Sequence, residues 1–134
     1  MKLRLQLKKD GEVVFEMPLS VEDWTKRGLA DELTSAEHEF VRFSKLFDAL
    51  SHETRLKMMK RLLEDEDLSL GFGEFMHDLR LNPKTVWENA KKLQEGGLLV
   101  KSKDGKYRFS EPGVAEFLML SLALRRLFKT MDES

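Results

Sequence analysis

Apolar and polar side chains alternate strictly at the start of the chain: Leu3, Leu5 and Leu7 are separated by Arg4 and Gln6, and after Lys9-Asp10-Gly11 come Val13, Phe15 and Met17. A period of two around an Asp-Gly pair predicts a β-hairpin over residues 1–20. A loop of three residues, Lys9 to Gly11, pairs Leu7 with Val13, Leu5 with Phe15 and Leu3 with Met17, whereas a two-residue loop sets Leu5 against Glu16. The longer loop is therefore expected. A lone hairpin is not stable in water, so its apolar face needs cover, in cis or across a dimer. Ser20 is placed to cap a short helix over 21–27 that Gly28 stops.

From there the period becomes helical. Thr34-Ser35-Ala36-Glu37 has the form of a capping box, and it opens a helix whose apolar side is Ala36, Phe40, Phe43, Phe47 and Leu50. Ser51 caps a second helix with Leu56, Met59, Leu62 and Leu63 inward, ended by the acidic run 64–67. A short helix over 72–79 turns Phe75, Met76 and Leu79 inward. In the next, Asn82 is the N-cap, Pro83 takes the first position, Val86, Ala90 and Leu93 form the stripe, and Gly96-Gly97 ends it. Lys84, Glu88 and Lys91 occupy its opposite face, Lys92 its edge, and Thr85 and Trp87 its shoulders.

Asp104-Gly105 then signals a second hairpin. With a two-residue loop, Lys103 pairs with Lys106, Ser102 with Tyr107, Lys101 with Arg108 and Val100 with Phe109. Val100, Ser102, Tyr107 and Phe109 share the inner face, and Lys101, Lys103, Lys106 and Arg108 stack outside as opposed like charges. Such pairs are destabilising alone. They point to a polyanion, with a solvated, aggregation-resistant edge as the plainer reading. The final helix, from Pro112 to about Met131, has no charge between Phe117 and Leu124, and its apolar residues point in nearly every direction. A second copy of the chain is the simplest cover; wrapping by the N-terminal hairpin is the alternative. The candidate interface residues are Phe117, Leu118, Leu120, Leu122, Leu124, Leu127 and Phe128.

With 134 residues, 41% hydrophobic and 35% charged, the chain has enough apolar content for one folded domain and too much for disorder. Charge sharpens the picture. The formal net charge is −1, yet residues 80–108 carry eight basic and three acidic side chains, net +5, against −6 for the remainder. A basic segment on an acidic body is the footprint of a local nucleic-acid face. There is no cysteine, which excludes disulfides, thiolate metal sites and cysteine nucleophiles. No signal peptide is visible, and the apolar run 117–124 is too short to span a bilayer, so a cytoplasmic location is expected. Glu64, Asp65, Glu66 and Asp67 read as a solvated helix end. Gly71-Phe72-Gly73 is too short for a phosphate loop and lacks its lysine. No enzyme is expected.

The segment FDALSHETRL at 47–56 resembles the ALSDPTRLRIL opening of ArsR-type winged-helix repressors, and Thr54-Arg55 is its most specific local signal. Gly73-Glu74-Phe75, Leu79, Leu81-Asn82, Thr85-Val86, Leu93 and Gly97-Leu98-Leu99 resemble that family's recognition unit and its exit into the wing. The likeness covers roughly 40–131, and residues 1–39 have no counterpart. It implies a dimer built on terminal helices, a reading helix in the major groove and wings along the backbone. Metal sensing does not carry over: cysteines are absent, and His38, His52 and His77 are scattered, with none in 112–131. Trp87-Glu88-Asn89 stands where small polar residues and histidines are usual. Trp87 either touches a thymine methyl or sugar or packs under the wing. Glu88 either accepts from a cytosine amino group or pairs with Lys84 or Lys91.

The expected fold is mostly α with small β (α+β): a hairpin and short helix over 1–39 packed on a winged helix-turn-helix over 40–134 with a C-terminal dimerisation helix. The expected function is sequence-specific binding of double-stranded DNA as a homodimeric transcriptional regulator, with no cofactor, metal or membrane. Lys84, Thr85, Trp87, Glu88 and Lys91 are base-side candidates, and Asn82, Lys92, Lys101, Lys103, Lys106 and Arg108 phosphate candidates. A winged-helix protein-interaction module is the alternative.

Overall fold

Strands Arg4–Lys9 (β1) and Glu12–Pro18 (β2) form an antiparallel hairpin closed by Asp10 and Gly11, at φ 51° and 84°. The structure, a computed structural model, describes residues 2–134; Met1, which the sequence reading includes in this hairpin, lies outside them. Two successive positive φ values mark the two-residue turn that matches strand twist, which corrects the expected three-residue loop. Lys9 faces Glu12 and Lys8 faces Val13; an extra residue in β2, Val14, then shifts the register so that Leu7 meets Phe15 and Leu5 meets Met17. The strand, not the turn, absorbs the odd residue.

The chain divides into two compact units, Met1–Phe40 (with Ser134) and Val41–Glu133. In the first, the hairpin leads to a 3₁₀ turn, Val21–Asp23, and a helix, Lys26–His38 (α1). Thr25 caps α1 by accepting the Gly28 amide at 3.0 Å, so Gly28 lies inside the helix it was expected to stop. Ser20 donates to the Asp23 carboxylate instead of capping a helix. Thr34 and Ser35 sit in the middle of α1, their hydroxyls donating back to the carbonyls of Ala30 and Asp31. The apparent capping box is thus an interior turn, and the break falls at Glu39.

In the second unit, the helix Phe40–Leu50 (α2) buries Leu46 and Ala49, while Phe47 is 56% exposed and stacks on Phe43 at 6.2 Å. The expected stripe of Phe40, Phe43 and Phe47 is therefore not the buried face. The helix turns the Leu46–Ala49 side inward, where Ala49 packs so close to Gly96 that any side chain there would collide with its methyl. The next helix, Glu53–Glu64 (α3), is preceded by His52 at the cap position, and Ser51 bonds back to Asp48. Its buried residues are Arg55, Met58, Met59 and Leu62, and Leu56 is exposed.

A strand of two residues, Ser69–Leu70 (β3), precedes the helices Phe72–Leu79 (α4) and Pro83–Glu95 (α5). Strands Leu99–Lys101 (β4) and Tyr107–Phe109 (β5) follow, and β5 lies between β3 and β4, so the second hairpin is part of a three-stranded sheet. The long C-terminal helix runs as Gly113–Leu118 (α6), a π-helical stretch Met119–Ala123, and Leu124–Asp132 (α7). Phe75, Met58, Met59, Leu62, Leu70, Val86, Leu93 and Leu98 are fully buried at the centre. Burying each side chain of this kind is worth roughly 1.5–3 kcal/mol. The class is α+β, mostly helical with small antiparallel sheets.

Candidate nucleic-acid interface

Helix α4 ends at Arg80 in the left-handed conformation, and the Leu81 amide closes back on the Met76 carbonyl at 3.0 Å. Two residues later α5 begins. The Asn82 Oδ1 accepts the Thr85 amide at 2.8 Å, so only its NH₂ end is left for a phosphate. Val86, Ala90 and Leu93 are buried as the stripe requires, and Gly97, at φ 79°, turns the chain out of the helix. The opposite face is open. Lys84 and Glu88 form an i,i+4 ion pair at 3.9 Å, and Lys91 lies over the Trp87 ring at 5.1 Å. Trp87 is 55% exposed, which settles it on the outer face instead of under the hairpin. Thr85 is half-buried. Lys92 leans toward α2, 3.1 Å from Asp48 and 4.0 Å from Glu95.

The β4–β5 register differs from the expected one. Leu99 faces Phe109, Val100 faces Arg108 and Lys101 faces Tyr107, and a Ser102–Lys106 backbone bond of 2.8 Å closes a loop of three residues, Lys103 to Gly105. This is the pairing that puts Leu99, Tyr107 and Phe109 on one face; the two-residue loop would have sent Leu99 to the opposite side. The outer ladder of opposed lysines and arginine does not form. Val100 is on the outer face opposite Arg108, while Lys101 shares the inner face and lies over the Tyr107 ring at 5.6 Å. Arg108 is tethered to the Ser102 hydroxyl (3.2 Å), the Asp67 carbonyl (3.3 Å) and the Asp104 carboxylate (3.5 Å). Lys106 stands 3.8 Å from Glu74. Lys103 has no ion pair among the described residues. The Lys106 backbone amide, first of several causes, holds the Asp104 carboxyl below the usual aspartate range.

Beneath the α5 face lies a polar junction that the sequence reading missed. Arg55 and Asn89 are each only 7% exposed. The Arg55 guanidinium donates to the carbonyls of Ala49 (2.7 Å) and Asp48 (2.8 Å) and to the Asn89 Oδ1 (2.9 Å), and the Asn89 NH₂ donates to the Thr85 carbonyl (2.7 Å). The signal was available: Asn89 is a polar residue in line with Val86 and Leu93. A groove of about 530 Å³, lined among others by His52, Thr54, Thr85, Trp87, Glu88 and Lys91, opens above this junction.

Of the candidate assembly residues, Phe117 is misplaced, because it is buried in its own unit against Phe109 at 5.9 Å. Leu118, Leu122, Leu124 and Phe128 are exposed, and Leu120 and Leu127 half-buried. The helix is therefore not enclosed within its own unit. Among the described residues no three His, Asp or Glu side chains are grouped to hold a metal ion, and no helix is long and apolar enough to cross a membrane. No protein-family model matches the chain, and no curated protein matches it.

Proposed function

We propose that this chain is a winged-helix regulator of the ArsR type that binds double-stranded DNA sequence-specifically as a cytoplasmic homodimer, without metal or cofactor. The observation that carries the reading is the open face of α5, held by a capped start and a buried stripe. It presents Lys84, Thr85, Trp87, Glu88 and Lys91 alongside a hairpin bearing Lys101, Lys103 and Lys106. A helix of this length entering the major groove offers its outer side chains to base edges, and the hairpin cations lie to the phosphates. Glu88, paired with Lys84, either stays so or exchanges that lysine for a cytosine amino group. The exposed leucines and Phe128 of the C-terminal helix, with the Phe43–Phe47 stack of α2, are the faces for a second copy.

Fluorescence titration with duplexes selected from a random pool, at several salt concentrations, tests this. Each phosphate contact contributes a log–log slope of roughly −0.9. Lys103→Ala should flatten the slope by about that amount per subunit with unchanged sequence preference, and Lys106→Ala by less, since Glu74 already shares its charge. Lys84→Ala should relax preference at particular base pairs, by ~1–3 kcal/mol where a contact is lost. Sedimentation should show a dimer at micromolar concentration that Leu124→Arg dissociates.

A second reading is favoured by one observation: Lys84, Lys92, Lys106 and Arg108 all have carboxylates within 4.0 Å. Cations already paired attract a polyanion less, and an exposed tryptophan suits a protein partner. Absence of DNA binding at low salt would leave the protein-interaction module as the better account.

A further inference from the structure

We propose that Arg55 and Asn89 are a positioning pair that sets sequence discrimination without touching DNA; the inference rests on the reading of α5 as the recognition helix. Asparagine on a reading helix is ordinarily the residue that grips adenine through both ends of its carboxamide. Here both ends are used internally. The Oδ1 takes the Arg55 guanidinium, and the NH₂ takes the Thr85 carbonyl in the preceding turn of the same helix. The chemistry fixes the orientation of the amide, because Arg55 can only donate and the Thr85 carbonyl can only accept.

Arg55 has no carboxylate partner in this junction. Its other two bonds go to the carbonyls of Asp48 and Ala49 in the last turn of α2. Unpaired carbonyls and the negative end of the helix dipole converge there. One buried cation thus joins the end of α2, its own helix α3 and the middle of α5. Two further contacts lie on the same seam, the Lys92–Asp48 pair at 3.1 Å and the close approach of Gly96 to Ala49. These hold the far half of α5, which leaves Arg55–Asn89 as the polar tie beside Thr85, Trp87 and Glu88.

Base readout needs side chains held within about 0.5 Å of their productive position, whereas a flexible lysine reaches a phosphate from a range of backbone positions. Loosening the tie therefore costs discrimination before it costs general affinity.

The test compares wild type with Asn89→Ala, Asn89→Asp and Arg55→Lys. Asn89→Asp keeps an acceptor for Arg55 and turns an acceptor oxygen toward the Thr85 carbonyl, so that half of the tie is broken while the buried Arg55 keeps a partner. Affinity for the preferred duplex and for a scrambled one is measured across salt, together with the ¹⁹F spectrum of protein labelled with 5-fluorotryptophan. Trp24→Phe assigns the two resonances. The expected result is a fall in the preferred-to-scrambled ratio of about tenfold, equivalent to ~1.4 kcal/mol. The salt slope and scrambled-duplex affinity stay unchanged, and the Trp87 resonance moves while that of Trp24 does not. A merely structural role would lower the melting temperature and leave the ratio and the Trp87 resonance in place; that result overturns the proposal. So does a parallel loss of affinity for both duplexes with a flattened salt slope. If wild type binds no DNA, the recognition-helix reading fails by itself. A Trp87 shift in DNA-free protein then still supports positioning of the α5 face, and its absence overturns it.

Discussion

The two hairpins are built on the same tripeptide, Lys9-Asp10-Gly11 and Lys103-Asp104-Gly105, and turn differently. In the first, Asp10 joins Gly11 at positive φ, the turn has two residues, and Val14 corrects the strand behind it. In the second, only Gly105 is at positive φ and the turn itself takes the extra residue. The strands explain the difference. The first hairpin has six and seven residues, long enough to host a bulge, and its Leu5, Leu7, Val13, Val14 and Phe15 side chains are exposed. The second has three residues a side, and Leu99 and Tyr107 must both enter the core. Side-chain bonds fit only the longer loop: Ser102 donates to the Lys106 carbonyl at 2.9 Å, and the Lys106 amide donates to Asp104 at 2.9 Å. Turn preference prevails where no side chain is fully buried, and yields where register decides what enters the core.

The largest contrast should lie in truncation. Tyr107 is 4% exposed and packs on Phe75 at 6.1 Å, so Tyr107→Ala should cost about 3–5 kcal/mol in urea denaturation, as other large aromatic truncations do. Phe15 is 40% exposed, and Phe15→Ala should cost less than ~1 kcal/mol. Equal costs would break the comparison, and would mean that the first hairpin's face is covered in solution.

A smaller effect should have opposite signs in the two turns. Asp10 holds a left-handed conformation that costs an L-residue about 1 kcal/mol, so Asp10→Gly should be neutral or stabilising. Asp104 pays no such cost and bonds the Lys106 amide and Arg108, so Asp104→Gly should destabilise. Matched thermal melts check the signs.

The smallest effect is in titration. The Arg4 guanidinium, 2.6 Å from Glu16 across the first hairpin, holds that carboxyl below the usual glutamate range, and a backbone amide does the same for Asp104. Both shifts are downward, so each stabilises its hairpin above the ordinary carboxyl range, about 3.9 for Asp and 4.3 for Glu. That contribution is lost as pH falls through the depressed folded value. In ¹³C carboxyl NMR, Arg4→Ala should raise Glu16, while Arg108→Ala should leave Asp104 low. Equal rises would mean that the turn amide is not what holds Asp104.

The same contrast separates what was legible in the sequence from what was not. Helix α5 could be read from cap to exit because Asn82, Pro83, the apolar stripe and Gly97 all specify the same boundaries. Helix α1 could not. Its residues 26–38 carry no buried stripe, and Thr34-Ser35-Ala36-Glu37 resembles a start only if the preceding residues are not already helical. Strand β3 is too short to show a period, and its pairing to β5 depends on residues nearly forty positions away. In α2 the helical spacing points to Phe40, Phe43 and Phe47, whereas the buried face is that of Leu46 and Ala49, because only the Ala49 methyl fits against Gly96, a contact distant in sequence. The exposed residues of α5 followed from helical geometry. The Arg55–Asn89 junction did not, since charge is ordinarily assigned to the surface.

The π-helical stretch Met119–Ala123 has a consequence for insertions and deletions. A wide turn of this kind is equivalent to one residue added to a regular helix, with the Ser121 hydroxyl donating to the Phe117 carbonyl beside it. Deleting one residue there would restore the α-helical pitch and leave everything beyond on the face it now occupies, whereas the same deletion in a regular turn would rotate it by about 100°. Leu124, Leu127, Phe128 and Met131 would keep their side of the helix, and Arg125, Arg126 and Lys129 theirs, when the deletion falls within Met119–Ala123. A single codon lost within this stretch would preserve what the helix presents to a neighbour, and one lost beside it would turn that surface away, so the wide turn sets the phase of the C-terminal surface.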